Sequence, residues 1–172
     1  MCGIIGFTGN LQAPGILVDG LQQLEYRGYD SAGIAVNNGS ETQIVKTTGK
    51  VATLREKVAA TAGLEGTCGI GHTRWATHGG VTEVNAHPHV SGNVTLIHNG
   101  IIENYKELAA SLKTKGYTAI SETDTEVAAM LIDSLYDGDP FAALKEADKV
   151  LEGAYGFCVM FKDHPGEIYC MR

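Results

Sequence analysis

No apolar run in this chain is long enough to form more than one short structural element. The longest, Val127-Ala-Ala-Met-Leu-Ile132 and Phe157-Cys-Val-Met-Phe161, fall far short of the roughly 18 residues of a membrane-crossing helix. The chain must therefore bury its apolar surface by stacking short strands and helices in layers. Ile4-Ile-Gly-Phe-Thr8 reads as a strand that starts almost at the first residue. Pro14 opens a helical pattern with Ile16, Leu17, Leu21 and Leu24 on one face. Ala32–Val36 and Thr42–Lys46 flank Asn37-Asn-Gly-Ser40, which predicts a hairpin. Val51, Leu54 and Val58 mark a second helix that stops near Gly63. Strands are predicted at Cys68–His72 and Asn93–His98, with a long aperiodic loop from Thr73 to Gly92 between them. Three more helices follow, on Tyr105/Leu108/Leu112, on Val127/Met130/Leu131/Leu135, and, after Asp139-Pro140, on Phe141/Leu144/Leu151. Two strands around Asp163-His-Pro-Gly166 close the pattern. Strands at the start, middle and end, with helices in pairs, predict a layered α+β domain rather than βαβ alternation.

The length of 172 residues suits one domain, and 44% hydrophobic against 19% charged residues excludes a disordered chain. A net charge of −7 without any Lys/Arg cluster excludes nucleic acid and anionic membrane as partners. The first cation is Arg27, so the N-terminus lacks the basic region of a signal peptide, and a cytoplasmic location is expected. Cys2, Cys68, Cys158 and Cys170 are far apart and are expected to be free thiols. The last three sit in apolar runs, where a thiol packs as a small hydrophobe. The final strand pattern runs straight into Arg172, so the domain is expected to be C-terminally truncated.

Cys2 stands apart because removal of Met1 would give one residue both a thiol and a free α-amine. An α-amine, with pKa about 7.7–8.0, accepts the thiol proton far more readily than a lysine near 10.4. Cys2 is therefore either an accidental residue or a nucleophile that carries its own base. Five histidines, His72, His78, His87, His89 and His98, cluster on or beside the long loop. No Lys or Arg occurs from Trp75 to Tyr105, which leaves Arg74 as the loop's one cation, fit for a structural ion pair or for a bidentate grip on a small carboxylate. His98-Asn99-Gly100 ends a strand, either as a plain turn or as an amide and a backbone N–H converging as an oxyanion hole. Thr123-Asp-Thr-Glu126 has capping-box spacing, and Asp124 is left over to complement the helix dipole or to receive an ammonium group. His87-x-His89 would present two rings to one face as metal ligands, but no Cys or acidic cluster at ligand spacing completes a site, so no metal is expected.

The blocks Cys2-Gly-Ile-Ile-Gly6, Leu24–Gly33, Gly71–Gly79, Asn85-Ala-His-Pro-His89, His98–Asn104, Ser121–Glu126 and Gly153-Ala-Tyr-Gly156 together resemble the glutaminase domains of the glutamine:fructose-6-phosphate amidotransferases. These belong to the wider N-terminal-nucleophile amidotransferases, among them amidophosphoribosyltransferase. The resemblance implies a four-layer αββα sandwich of two antiparallel sheets over residues 1–172, with the sugar isomerase domains absent. It implies L-glutamine as substrate, no cofactor, and ammonia delivered to an isomerase domain that holds fructose 6-phosphate in a homo-oligomeric full-length enzyme. By the same resemblance Cys2 is the nucleophile, Asn99 and Gly100 form the oxyanion hole, and Arg74 and Asp124 hold the glutamine carboxylate and amine. Thr77 and His78 complete the pocket, Trp75 lies on a loop that closes over it, and Arg27 supports the nucleophile end. A non-catalytic glutamine-binding module and a metal-binding histidine domain are the competing readings.

Overall fold

The structure, a computed structural model, describes residues 2–76 and 79–172. The expectations for Met1 removal and for Thr77 and His78 lie outside the described residues. The elements run β1 (Gly3–Thr8), α1 (Ala13–Leu24), a 3₁₀ turn (Glu25–Arg27), β2 (Ser31–Asn37), β3 (Thr42–Thr48), α2 (Val51–Ala60) and β4 (Cys68–Arg74). They continue with β5 (His89–Ser91), β6 (Val94–Ile102), α3 (Tyr105–Thr114), α4 (Asp124–Leu135), α5 (Pro140–Asp148), β7 (Gly153–Phe161) and β8 (Tyr169–Met171).

The strands form two four-stranded antiparallel sheets, ordered β1-β4-β2-β3 and β5-β6-β7-β8. Three apolar cores separate four layers. The first holds Leu17, Leu21, Ile34 and Leu54 between the α1/α2 layer and the first sheet. Ala35, Cys68, Ile70, Ile97 and Met160 fill the space between the sheets. The third packs α3, α4 and α5 on the second sheet through residues such as Leu96, Ile102, Leu108, Ile132, Leu144 and Phe157. The αββα sandwich expected from the resemblance is present.

Local chemistry explains the helix starts. Asp139 accepts hydrogen bonds from the N–H groups of Phe141 (2.9 Å) and Ala142 (3.1 Å), with Pro140 supplying the first-turn φ of α5. Thr123 Oγ1 caps α4 by accepting from Glu126 N–H at 3.3 Å. The reciprocal half of the predicted capping box differs, because the Glu126 carboxylate accepts from Ile120 and Ser121 N–H instead of from Thr123.

Other expectations are corrected by pairing across the sheets. The strand predicted to end at His98 continues to Ile102, because β7 pairs with it along its whole length, Asn99 opposite Gly156 and Gly100 opposite Tyr155. Asn99-Gly100 is thus a distorted strand segment and not a turn. The long loop is shorter at both ends, since β4 runs to Arg74 and His89–Ser91 pairs with β6 as β5. On α5, Phe141 is 60% exposed while Pro140, Ala143, Leu144 and Ala147 are buried, and Leu151 lies past the helix end. Cys170 is exposed and faces Cys158 across the β7–β8 pair, with the two sulfurs 3.7 Å apart.

Ile97 has no exposed surface and lies between the two sheets. Its replacement by Ala is expected to lower unfolding stability by about 2–5 kcal/mol. Ile120→Ala, at a position 83% exposed, should stay within about 0.5 kcal/mol. Urea unfolding of the two variants checks this, and equal shifts would contradict the assignment of the inter-sheet core.

Candidate active site

The β1–β4 pairing places Gly3 opposite Thr73, so Cys2, one residue earlier, lies beside the end of β4. Gly3 N–H donates to Thr73 Oγ1 (3.1 Å), and Trp75 N–H donates to Cys2 Sγ (3.4 Å). A Cβ at Gly3 would stand 2.6 Å from Thr73 Oγ1 and 2.7 Å from Leu24 Cβ, so this close approach tolerates no larger residue. Burial pushes the Cys2 thiol up, the Trp75 N–H and the Arg74 guanidinium oppose that, and the Asp30 carboxylate adds to it. The balance favours a neutral thiol that needs a base.

The opposite wall comes from β6 and the start of α4. Gly100 has φ +141°, and a Cβ there would fall 2.1 Å from the Ala154 carbonyl oxygen of the paired strand. Only glycine fits, and its backbone faces the cleft that also contains Cys2. Asp124, buried in the first turn of α4, accepts from Ile102 N–H (2.9 Å) through Oδ2, while Oδ1 faces His98 Nδ1 at 3.9 Å. Its carboxylate is thus oriented by backbone, side chain and helix dipole together.

Arg74, also buried, donates to the carbonyls of Gly80 (3.0 Å) and Gly79 (3.2 Å), and so shapes the loop that follows β4. That loop is latched further: Glu122 Oε2 accepts from Gly80 N–H (3.0 Å) and Asn85 Nδ2 (2.9 Å), and Asn85 Oδ1 accepts from Glu122 N–H (2.9 Å). Asp30 accepts from Ala76 N–H at the loop's start. At its end Lys46 reaches over from β3 to donate to Ala86 (2.8 Å) and Pro88 (3.1 Å) carbonyls, so Arg74 is not the only cation acting on the loop. Burial pulls Lys46 below its ordinary pKa.

One cleft brings Cys2, Arg74, Trp75, Gly100 and Asp124 together, and His87, His98, Thr123 and Thr125 complete its lining. Asn99 adjoins it as the β6 neighbour of Gly100, while Arg27, half-buried in the 3₁₀ turn, is not among its walls. Trp75 is 48% exposed at the rim, edge-on to Tyr29 at 5.7 Å. A roomier groove between α5 and β8 has mixed walls, with Lys145, Asp148 and Cys170 among them. Sequence reasoning missed Thr73, Asp30, Glu122 and Thr125, whose roles depend on which strands meet. Only the wording of the Gly71–Gly79, Leu24–Gly33 and Ser121–Glu126 blocks pointed toward them.

Burial holds His72 and His89 neutral, with pKa lowered to about 3, and lowers His87 well below its ordinary value, helped by the neighbouring His and Arg74 charges. In the unfolded chain these rings protonate near 6.5. Below that pH the unfolded state binds more protons, so stability is full above about 6.5 and is lost as pH falls toward 3. The loss is expected to reach about 2 kcal/mol per ring by pH 5. Thermal melts from pH 7.5 to 4 check this, and a melting temperature constant through pH 6.5–4.5 would contradict neutral burial of the rings.

Residues 72–172 match the family model described as "Glutamine amidotransferase domain". The chain is 53% identical over 166 residues to the glutamine–fructose-6-phosphate aminotransferase [isomerizing] of Thermus thermophilus, covering 95% of this chain and 27% of that protein. It is 50% identical over 174 residues to the protein of the same name from Caldanaerobacter subterraneus, covering 100% of this chain and 28% of that one. The chain therefore spans little more than a quarter of the length of these relatives. Among solved structures it is similar to the glutamine phosphoribosylpyrophosphate amidotransferase of B. subtilis, with TM-score 0.80 and 29% identity over 94% of this chain and 35% of that one. An allosteric regulatory enzyme of purine biosynthesis gives TM-score 0.81 and 30% identity, over 94% and 36%.

Proposed function

Starting from the fact that this chain belongs to the glutamine amidotransferase domain family, we propose that its cleft hydrolyses the side-chain amide of L-glutamine to glutamate and ammonia. The observation that carries this reading is the convergence of Cys2, Gly100, Arg74 and Asp124 on one small cleft, although they come from opposite sheets and a helix start. Met1 is removed, and the α-amine of Cys2 takes the thiol proton. The thiolate sulfur bonds to the amide carbon, and the tetrahedral oxyanion is held by the Asn99 side-chain amide and the Gly100 N–H. The ammonium returns its proton to the departing nitrogen, the C–N bond breaks, and ammonia leaves a γ-glutamyl thioester. Water adds to the thioester carbonyl, its proton passes to the amine, and the C–S bond breaks to give glutamate and the thiol.

Asp124 receives the glutamine ammonium, and Arg74, with Thr77 and His78, holds its carboxylate end. Trp75 covers the cleft from the rim, and Arg27 supports the nucleophile side. No cofactor enters these steps. The relatives named above support placing this chain, residues 1–172, as the glutaminase half of a longer enzyme. There the ammonia goes to an isomerase domain that converts fructose 6-phosphate to glucosamine 6-phosphate, in a homo-oligomer in the cytoplasm. Among the described residues no helix is long and apolar enough to cross a membrane. The 53% identity to the fructose-6-phosphate relative favours it over a phosphoribosylpyrophosphate enzyme, at 29%.

Glutamate release from glutamine, with the N-terminal residue read by mass spectrometry, tests the proposal. Cys2→Ala is expected to abolish turnover, and Asp124→Asn to raise KM about 10-fold or more with a smaller change in kcat. Full activity in Cys2→Ala would sink the reading.

A further inference from the structure

The hydrolysis proposed above gives no task to the buried histidines, although two of them line the cleft. His72 on β4 stacks on His87 with ring centroids 4.1 Å apart. Its Nε2–H donates across the gap between the sheets to the His98 carbonyl on β6, at 2.8 Å. The Thr125 hydroxyl lies between His87 Nε2 (2.8 Å) and His98 Nδ1 (3.0 Å). A hydroxyl has one proton, so Thr125 donates to one ring and accepts from the other. The Asp124 carboxylate on the Nδ1 side of His98 favours Nδ1–H there, which directs the Thr125 proton to His87. Both the carbonyl and the side chain of His98 are thus held, and the next two residues along the strand are Asn99 and Gly100.

Apolar side chains would fill this space with less desolvation. The chain instead buries rings that stay uncharged. The Nδ1 atoms of His72 and His87 meet no hydrogen-bond partner among the described residues. Such a polar seam is poor glue for a core, and its distinctive product is the fixed geometry of His98.

Resting on the amide-hydrolysis reading, we propose that Thr125, with His72, His87 and His98, forms a positioning network that holds the Asn99–Gly100 segment at the distance from the Cys2 sulfur that turnover requires. Asp124 faces His98 Nδ1 at 3.9 Å but takes its hydrogen bond from Ile102 N–H. Removing the Thr125 hydroxyl leaves that hydrogen bond in place, so it lowers kcat more than it changes glutamine affinity.

The test compares Thr125→Val, which keeps the shape and removes the hydroxyl, with Thr125→Ser, which keeps the hydroxyl, in the full chain. The Val variant is expected to lose about 10–100-fold in kcat with KM within about twofold, and Ser to recover most of the loss. Alkylation of Cys2 by iodoacetamide should proceed at the same rate in both variants and the parent. A Val variant as fast as the parent, Val and Ser falling equally, or kcat and alkylation falling together would each overturn the proposal. If the Val variant does not fold, His72→Gln, which keeps a donor near the Nε2 position, is compared with His72→Leu. A kcat about tenfold higher for Gln is expected, and equal values overturn the network. If the parent releases no glutamate, the hydrolysis reading itself fails. Amide hydrogen exchange then decides the positioning role: faster exchange at Gly100–Ile102 in Val than in Ser supports it, and equal exchange overturns it.

Discussion

The cleft depends on one contact, the packing of β4 against β6 across the middle of the sandwich. β4 belongs to the first sheet and carries Arg74 at its end, with Cys2 alongside through the β1 pairing. β6 belongs to the second and carries Asn99 and Gly100. Apolar residues such as Ile70 and Ile97 fill the space between the sheets. The His72 donation to the His98 carbonyl also crosses it, and a directional hydrogen bond fixes orientation where apolar packing alone would leave freedom. Cys2 on one side and Gly100 on the other have a defined separation only if the sheets cannot slide.

Glycine appears at this cleft because backbones meet there. At Gly3 a Cβ would strike Thr73 and Leu24, and at Gly100 it would strike the neighbouring strand's carbonyl. In both places the absent side chain lets the main chain approach its neighbours more closely than any larger residue allows. The loop after β4 is treated differently. It has little regular structure, so its shape comes from side chains reaching into it: Arg74 and Glu122 at Gly79–Gly80, Asp30 at Ala76, and Lys46 at Ala86 and Pro88.

Much of the fold was legible in the residue pattern. Helical periodicity and the signals at Pro14, Gly63 and Asp139-Pro140 located the five α-helices of the described residues to within a few residues, because local capping and φ preferences act within a turn or two. Strand ends were less legible. The continuation of β6 past Asn99-Gly100 depends on β7, some 55 positions later, and an Asn-Gly pair read locally is a turn. The short β5 was hidden for the same reason, since three residues carry no alternation of their own.

By itself the sequence determined the layered α+β class, the family, and most of the residues gathered at the cleft, because residue types with distinctive chemistry stand out wherever they fall. Cys2 after Met1, Arg74 in a stretch without other cations, and Asp124 at a helix start are of this kind. Only the tertiary structure decided that Arg74 shares its loop with Lys46, that Asn99-Gly100 is strand and not turn, and that the scattered His72, His87 and His98 form one seam around Thr125. Hydrogen bonds between residues 26 to 42 positions apart leave no mark on local composition, and they exist only once the two sheets have closed on each other.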